Sequence, residues 1–102
     1  MEVDGIVFAS KREAKRYKQL KMLESTKRIT KLELQKSFIL QPAFERNGKK
    51  LHAIKYVCDF FYYDDDTKQM VVEDVKGFKT PEFKLKWKMM KYEYKHYEYR
   101  LT

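Results

Sequence analysis

Cysteine is nearly absent: Cys58 stands alone among 102 residues, so no internal disulfide forms and a four-thiolate zinc site is excluded. Three glycines and two prolines rule out a collagen-like, linker-like or low-complexity chain. No apolar run approaches the roughly 18 residues of a membrane span, and the N-terminus has no signal-peptide core. These lacks point to a soluble, cytoplasmic domain with no membrane partner. Aromatic side chains are abundant, 16% of residues within a hydrophobic fraction of 43%, enough for one core and unlike a disordered segment. Residues 1–102 read as one domain.

Charge is distributed in blocks. The formal net charge is +8. Residues 9–31 carry nine basic and two acidic side chains, residues 58–74 six acidic and one basic, and residues 76–102 eight basic and three acidic. A basic chain favours a polyanionic partner, nucleic acid before membrane. The acidic island narrows that reading. A plain DNA-binding module gains nothing from concentrated carboxylates, whereas a metal-dependent phosphodiesterase needs both signs side by side.

Ser10 and Glu13 have capping-box spacing, and Ala14, Tyr17, Leu20 and Leu23 recur every three residues, which predicts a helix over about 10–25. Residues 26–33 read as a polar connector or helix extension. Phe38 to Phe44 reads as an edge strand carrying Pro42, Asn47-Gly48 as a type I′ hairpin turn, and Leu51 to Tyr63 as one long strand. Residues 64–69 form a polar turn, and Met70 to Lys76 a third strand ended by Gly77. Thr80-Pro81 opens a second helix with Phe83, Trp87, Met90 and Tyr94 on one face. Tyr97, Tyr99 and Leu101 alternate as a short closing strand. The order is αβββαβ.

A symmetric turn at 64–69 sets Tyr63 opposite Met70, Asp59 opposite Asp74 and Val57 opposite Lys76. Opposed residues point to one face with Cβ atoms roughly 4.5–5.5 Å apart, and Asp74 and Lys76, two apart in one strand, share that face. An unslipped register therefore clusters two carboxylates and one ammonium. Adjacent carboxylates repel unless a cation or proton intervenes. Mg²⁺ takes such oxygens together with water and phosphate, and a lysine beside it can hold an attacking water and offset charge building on a phosphate. A surface salt-bridge cluster relieved by Lys76 accounts for the same residues without chemistry.

Asp59, fourteen intervening residues and Asp74-Val75-Lys76 together resemble the PD-(D/E)XK nuclease superfamily, whose core also has the αβββαβ order. Within it, Phe8-Ala-Ser-Lys-Arg-Glu13-Ala, Leu40-Gln41-Pro42, Asp59-Phe60 and Glu73-Asp74-Val75-Lys76-Gly77 look like a family of small phage proteins. The resemblance implies an α/β, restriction-endonuclease-like fold with a mixed central sheet flanked by helices. It implies a deoxyribonuclease that hydrolyses phosphodiester bonds of duplex or branched DNA by metal-activated water, with Mg²⁺ as cofactor and Mn²⁺ as substitute. Asp59 and Asp74 would ligand the metal with the Val75 carbonyl, Glu13 would complete the site from the first helix, and Lys76 would position the water. Cys58 stands where the motif's proline would be. Lys11, Arg12, Lys15, Gln41, Lys79 and Lys86 are the residues expected to meet DNA. A homodimer with two sites on two strands, and a role in phage recombination or Holliday-junction resolution, fit this reading. Two rivals stand beside it: a DNA-binding module that keeps the fold without cleaving, and an interaction or accessory protein whose lysines serve solubility.

Several residues have plainer explanations. Ser10 accounts for Glu13 as a capping partner, although a capping Glu can still face a site. Glu73 alternates away from Asp74 and reads as structural or substrate-facing. Asp64, Asp65 and Asp66 lack the glycine and terminal Glu of a calcium loop and read as a solvated turn. Cys58 reads as a small core residue, His52 and His96 have no partner at ligand spacing, and the Phe83/Trp87/Met90/Tyr94 stripe reads as core.

Overall fold

A computed structural model describes all 102 residues. The chain opens with a small hairpin, β1 (Glu2–Val3) and β2 (Ile6–Val7). Its turn residues Asp4 and Gly5 both take positive φ, as a type I′ turn requires. Helix α1 follows (Lys11–Ser25), its N-cap Ser10 accepting a hydrogen bond from the Glu13 amide at 3.1 Å. Ala14, Tyr17 and Leu20 form its buried stripe, the face predicted from their spacing.

The next segments depart from expectation. Residues 29–34 form a strand, β3 (Ile29–Leu34), and not a connector. Lys31 takes a positive φ of 60° within an irregular stretch of its pairing, and such a bulge breaks the alternation that would mark a strand. The expected Phe38–Phe44 strand is divided into β4 (Ser37–Gln41) and β5 (Phe44–Arg46). The long Leu51–Tyr63 run becomes the end of β6 (Lys49–Leu51), then β7 (Ile54–Val57) and most of β8 (Phe60–Asp64). β4 pairs with β7, and β5 with β6 around Asn47-Gly48. Together they make a two-stranded arm inserted between β3 and β8. β9 (Gln69–Asp74) stops two residues before Lys76. Helix α2 (Pro81–Glu93) has Thr80 as its N-cap and proline at its start, and β10 (Glu98–Leu101) closes the chain.

The fold is α/β, with a mixed sheet of order β10-β9-β8-β3. β10 runs parallel to β9, and the other pairs are antiparallel. Leaving the arm and the first hairpin aside, the elements run α1, β3, β8, β9, α2, β10, which is the αβββαβ order with β3 as its first strand. Phe60, Tyr62 and Val71 join Tyr17 and Leu20 of α1 in one core. Phe61 and Val72 join Phe83, Trp87 and Met90 of α2 in the other, which also takes Phe38, Leu40 and Tyr56 from the root of the arm. Each fully buried side chain of this size contributes about 1.5–3 kcal/mol.

Glu73, Asp74 and Asp64 are the buried charged residues, and Glu73 is the most fully satisfied of them. The Glu73 carboxylate is fully buried and receives Arg16 Nε at 2.5 Å and Nη2 at 3.0 Å, Tyr62 Oη at 2.5 Å and Thr102 Oγ1 at 3.0 Å. Its role is structural. Removing one partner of a buried ion pair costs about 3–5 kcal/mol, because the other is left uncompensated. Glu73→Ala should destabilise the chain by that order in urea titrations. Because Arg16 and Glu73 share one network, Arg16→Ala/Glu73→Ala should cost less than the sum of the single changes; additivity would show that the pair is not coupled.

Candidate active site

Asp59 lies at the break between β7 and β8, one residue beyond the last paired position, Phe60 opposite Glu73. The observed pairing of Tyr63 with Met70 and Asp64 with Gln69 follows the symmetric turn, so the register carries Asp59 to the end of β9. There its Oδ2 accepts the Val75 amide at 2.8 Å, and its Oδ1 takes Gln35 Nε2 at 3.5 Å. The backbone fixes the same junction: Gln35 N donates to the Asp59 carbonyl at 3.1 Å, and Cys58 N to the Lys36 carbonyl at 3.0 Å.

Asp74 ends β9 and is 1% exposed. Its Oδ1 faces Lys76 Nζ at 3.6 Å, while its Oδ2 is buried without a hydrogen-bond partner. Lys76 also lies 5.0 Å from the centroid of the Phe83 ring. Burial pushes the Asp74 carboxyl up to about 6 against the opposing pull of Lys76. Glu13 comes from the first turn of α1. Partial burial, the charge of Asp59, a hydrogen bond shared with Asp59 and the charge of Asp74 push it up to about 7, with the Ala9 backbone acting in the opposite direction. The capping box is thus half made: Ser10 caps the Glu13 amide, and the Glu13 carboxyl turns towards Asp59.

Glu13, Asp59, Lys76 and Gln35 line a common cleft of about 390 Å³, walled by residues 6–9 and Leu34. No three ligating side chains already stand at metal-binding spacing. Asp74 does not line this cleft, its unpartnered Oδ2 being buried; the carboxylates of Glu13 and Asp59 that do are oxygen donors, the chemistry a hard divalent cation takes. A second hollow of about 210 Å³ is lined by Arg12, Lys15, Arg16, Gln19, Val75 and Thr102. Arg12 and Lys15 line this hollow and not the cleft of Glu13 and Asp59, with Arg12 beside Gly77. Lys11 and Lys79 are exposed.

Lys86 and Gln41 lie outside both hollows. Lys86 is held by Glu82 at 3.1 Å, one helical turn away. Gln41 ends β4 opposite Ile54 and does not line the cleft. The polar side chain there is Gln35, because the first core strand is β3 and not the segment containing Gln41. Cys58 is fully buried, and burial pushes its thiol up to about 12, so it is inert.

Over residues 1–102 the chain matches the model of a family described as a protein of unknown function (DUF1064), and it belongs to that family. No curated protein and no solved structure matches it. No helix is long and apolar enough to cross a membrane.

The two raised carboxyls make stability depend on pH. Glu13 rises from 4.5 to about 7 and Asp74 from 3.8 to about 6, so between those values the folded chain binds more protons than the unfolded one. Stability contributed by this site is present at the acid end and is lost as pH rises through the folded values. In chelator, Tm should fall between about pH 5 and pH 8, and Glu13→Gln should flatten that slope. Mn²⁺ should raise Tm at pH 8 more than at pH 5, where protons compete for the same oxygens. Scanning fluorimetry across pH would show a flat profile if the two carboxyls kept their ordinary values in the folded chain.

Proposed function

We propose that this chain is a Mg²⁺-dependent deoxyribonuclease of the PD-(D/E)XK type, with Mn²⁺ as substitute, that hydrolyses phosphodiester bonds in duplex or branched DNA. One observation carries the reading. Glu13, Asp59 and Asp74 come from separate elements to one place, where the charges of Asp59 and Asp74 help to raise the Glu13 carboxyl and the ammonium of Lys76 faces Asp74, whereas folding alone would favour pairing or dispersing them.

Asp59, Asp74 and Glu13 would hold the cation with the Val75 carbonyl. When bound, the cation supplies Lewis-acid polarisation of a phosphoryl oxygen and a lowered pKa for water. The remaining roles belong to the chain. Lys76, held by Asp74 and backed by the Phe83 ring, presents a fixed positive charge to a phosphate entering the cleft. Glu13, with its pKa near 7, is suited to exchange a proton at neutral pH. Arg12 and Lys15, in the separate hollow that Val75 lines, suit the flanking phosphates. The resemblance to phage proteins supports action on DNA in the cytoplasm of a bacterial host, and the small size suits a homodimer. One observation favours a second reading, a DNA-binding module that does not cleave: no ligand set stands ready-made, and Lys76 occupies one oxygen of Asp74.

Asp74→Asn separates the two readings. Removing a positioned charged group typically costs about 10²–10⁴-fold in rate, so Mn²⁺-dependent cleavage of linear, flapped and four-way DNA should fall by at least about 100-fold. Duplex affinity in chelator should hold or tighten, because one negative charge is gone from the site while the cations that set the salt slope remain. Glu13→Gln should lose cleavage similarly with little loss of Tm. A wild-type chain that binds DNA and never cleaves it would leave the second reading.

A further inference from the structure

The arm built from β4 to β7 contributes to the core only at its root. Phe38, Leu40 and Tyr56 pack on α2, but every residue from Gln41 to Lys50 is exposed, and β5 and β6 have no substantial contact except with each other. The radius of gyration is 15.5 Å and the long dimension 53 Å, against a radius of about 13 Å for a compact chain of this length. Residues 42–47 alone reach about 20 Å at roughly 3.3 Å per residue.

In the outer arm Glu45 stands opposite Lys50, a favourable pair, but the tip is different. Arg46 is paired directly with Lys49 beside the Asn47-Gly48 turn, and like charges directly opposed in a ribbon are destabilising. Between residues 41 and 57 there are four basic side chains and one acidic. Phe44 and Leu51, the next same-face pair, lie behind the cations. An isolated two-stranded ribbon is marginal in water, so a repelling pair at its tip calls for an anionic partner. A second copy of the arm would bring the same charge and repel. The roots add a placement: the arm leaves the sheet after Gln35 and returns at Asp59, the two residues joined at the cleft.

We propose that this arm enters the major groove of duplex DNA as a two-stranded ribbon, with Arg46 and Lys49 on the flanking phosphates, and thereby presents the duplex to the cleft at its root. The proposal rests on the reading of the chain as a DNA enzyme and adds where the duplex is gripped. A major groove about 12 Å wide admits such a ribbon.

The test is Arg46→Glu/Lys49→Glu beside a charge-matched control, Lys88→Glu/Lys95→Glu on the exposed side of α2 and just beyond it. Both arm residues are solvent-exposed and the reversal keeps a like-charged pair, so Tm should stay at the wild-type value. Anisotropy of a labelled duplex in chelator should show affinity reduced at least about tenfold, and a salt slope shallower by about 0.9 for each of the two phosphates no longer neutralised. The control should change both much less. Equal losses in arm variant and control would overturn the proposal, showing only a response to net charge. An arm variant with wild-type affinity and slope would also overturn it, whether or not the wild type cleaves. Duplex binding that depends on the arm without any Mn²⁺ cleavage would support the arm and remove the nuclease reading. A wild-type dimer that the arm variant dissociates, with DNA affinity unchanged, would assign the arm to a second copy and overturn the groove.

Discussion

Glu73 carries a carboxylate into the middle of the sheet, and much of the geometry around the candidate site follows from how it is satisfied. Its two oxygens take both arms of the Arg16 guanidinium from α1, the Tyr62 hydroxyl from β8 and the Thr102 hydroxyl beyond β10. Four segments thus meet at one buried charge. Such a charge is tolerated only when its geometry is well satisfied, so α1 has little freedom to slide or rotate over the sheet. Glu13 lies one turn before Arg16 on that helix, and Asp74 follows Glu73 on that strand. Fixing the Arg16–Glu73 pair therefore fixes the approach of Glu13 to Asp74. The backbone completes the frame, with Thr102 N on the Asp74 carbonyl and Lys76 N on the Thr102 carbonyl.

Parts of this were legible from residue order alone. The Asp59–Asp74 relation follows from a turn whose arms leave symmetrically, and Tyr63 does stand opposite Met70. Both helices declare themselves by Ser10 and Thr80 and by apolar spacing, because caps and periodicity are local. The Asp4-Gly5 turn carried an equally local signal for the first hairpin and could have been read. What was not legible depends on distant partners. β3 hides because Lys31 sits in a bulge. Leu51 to Tyr63 reads as one β-rich run without glycine or proline, and it breaks only because Leu51 pairs with β5, its middle with β4 and its last part with β3 and β9. Once β3 replaces the Gln41 segment as the first core strand, Gln35 replaces Gln41 beside Asp59. That exchange could not be made without knowing which strand pairs with which.

The acidic block of residues 58–74 looked uniform in sequence and is divided in space. At the turn end each carboxylate meets a cation: Asp64 with Arg100 at 2.7 Å, Asp65 with Lys68 at 3.3 Å and Asp66 with Arg28 at 3.1 Å. Burial would raise the Asp64 carboxyl, but Arg100 and the amides of Asp66 and Thr67 hold it below its ordinary value. At the opposite end the balance reverses. Lys76 pairs with Asp74 alone, and α1 adds Glu13, a third carboxylate in place of a second cation. At the turn end Asp65 and Asp66 form exposed pairs worth only about 0–1 kcal/mol each, the solvated turn expected of them, whereas Asp64 ends β8 and is buried against Arg100. Crowding carboxylates without enough countercharge instead raises the free energy of the folded chain at neutral pH. The same pair of strands shows at its other end that the sequence can supply a cation for each carboxylate. An unrelieved excess at one end alone is therefore specific to the site, and a cation from outside the chain would relieve it.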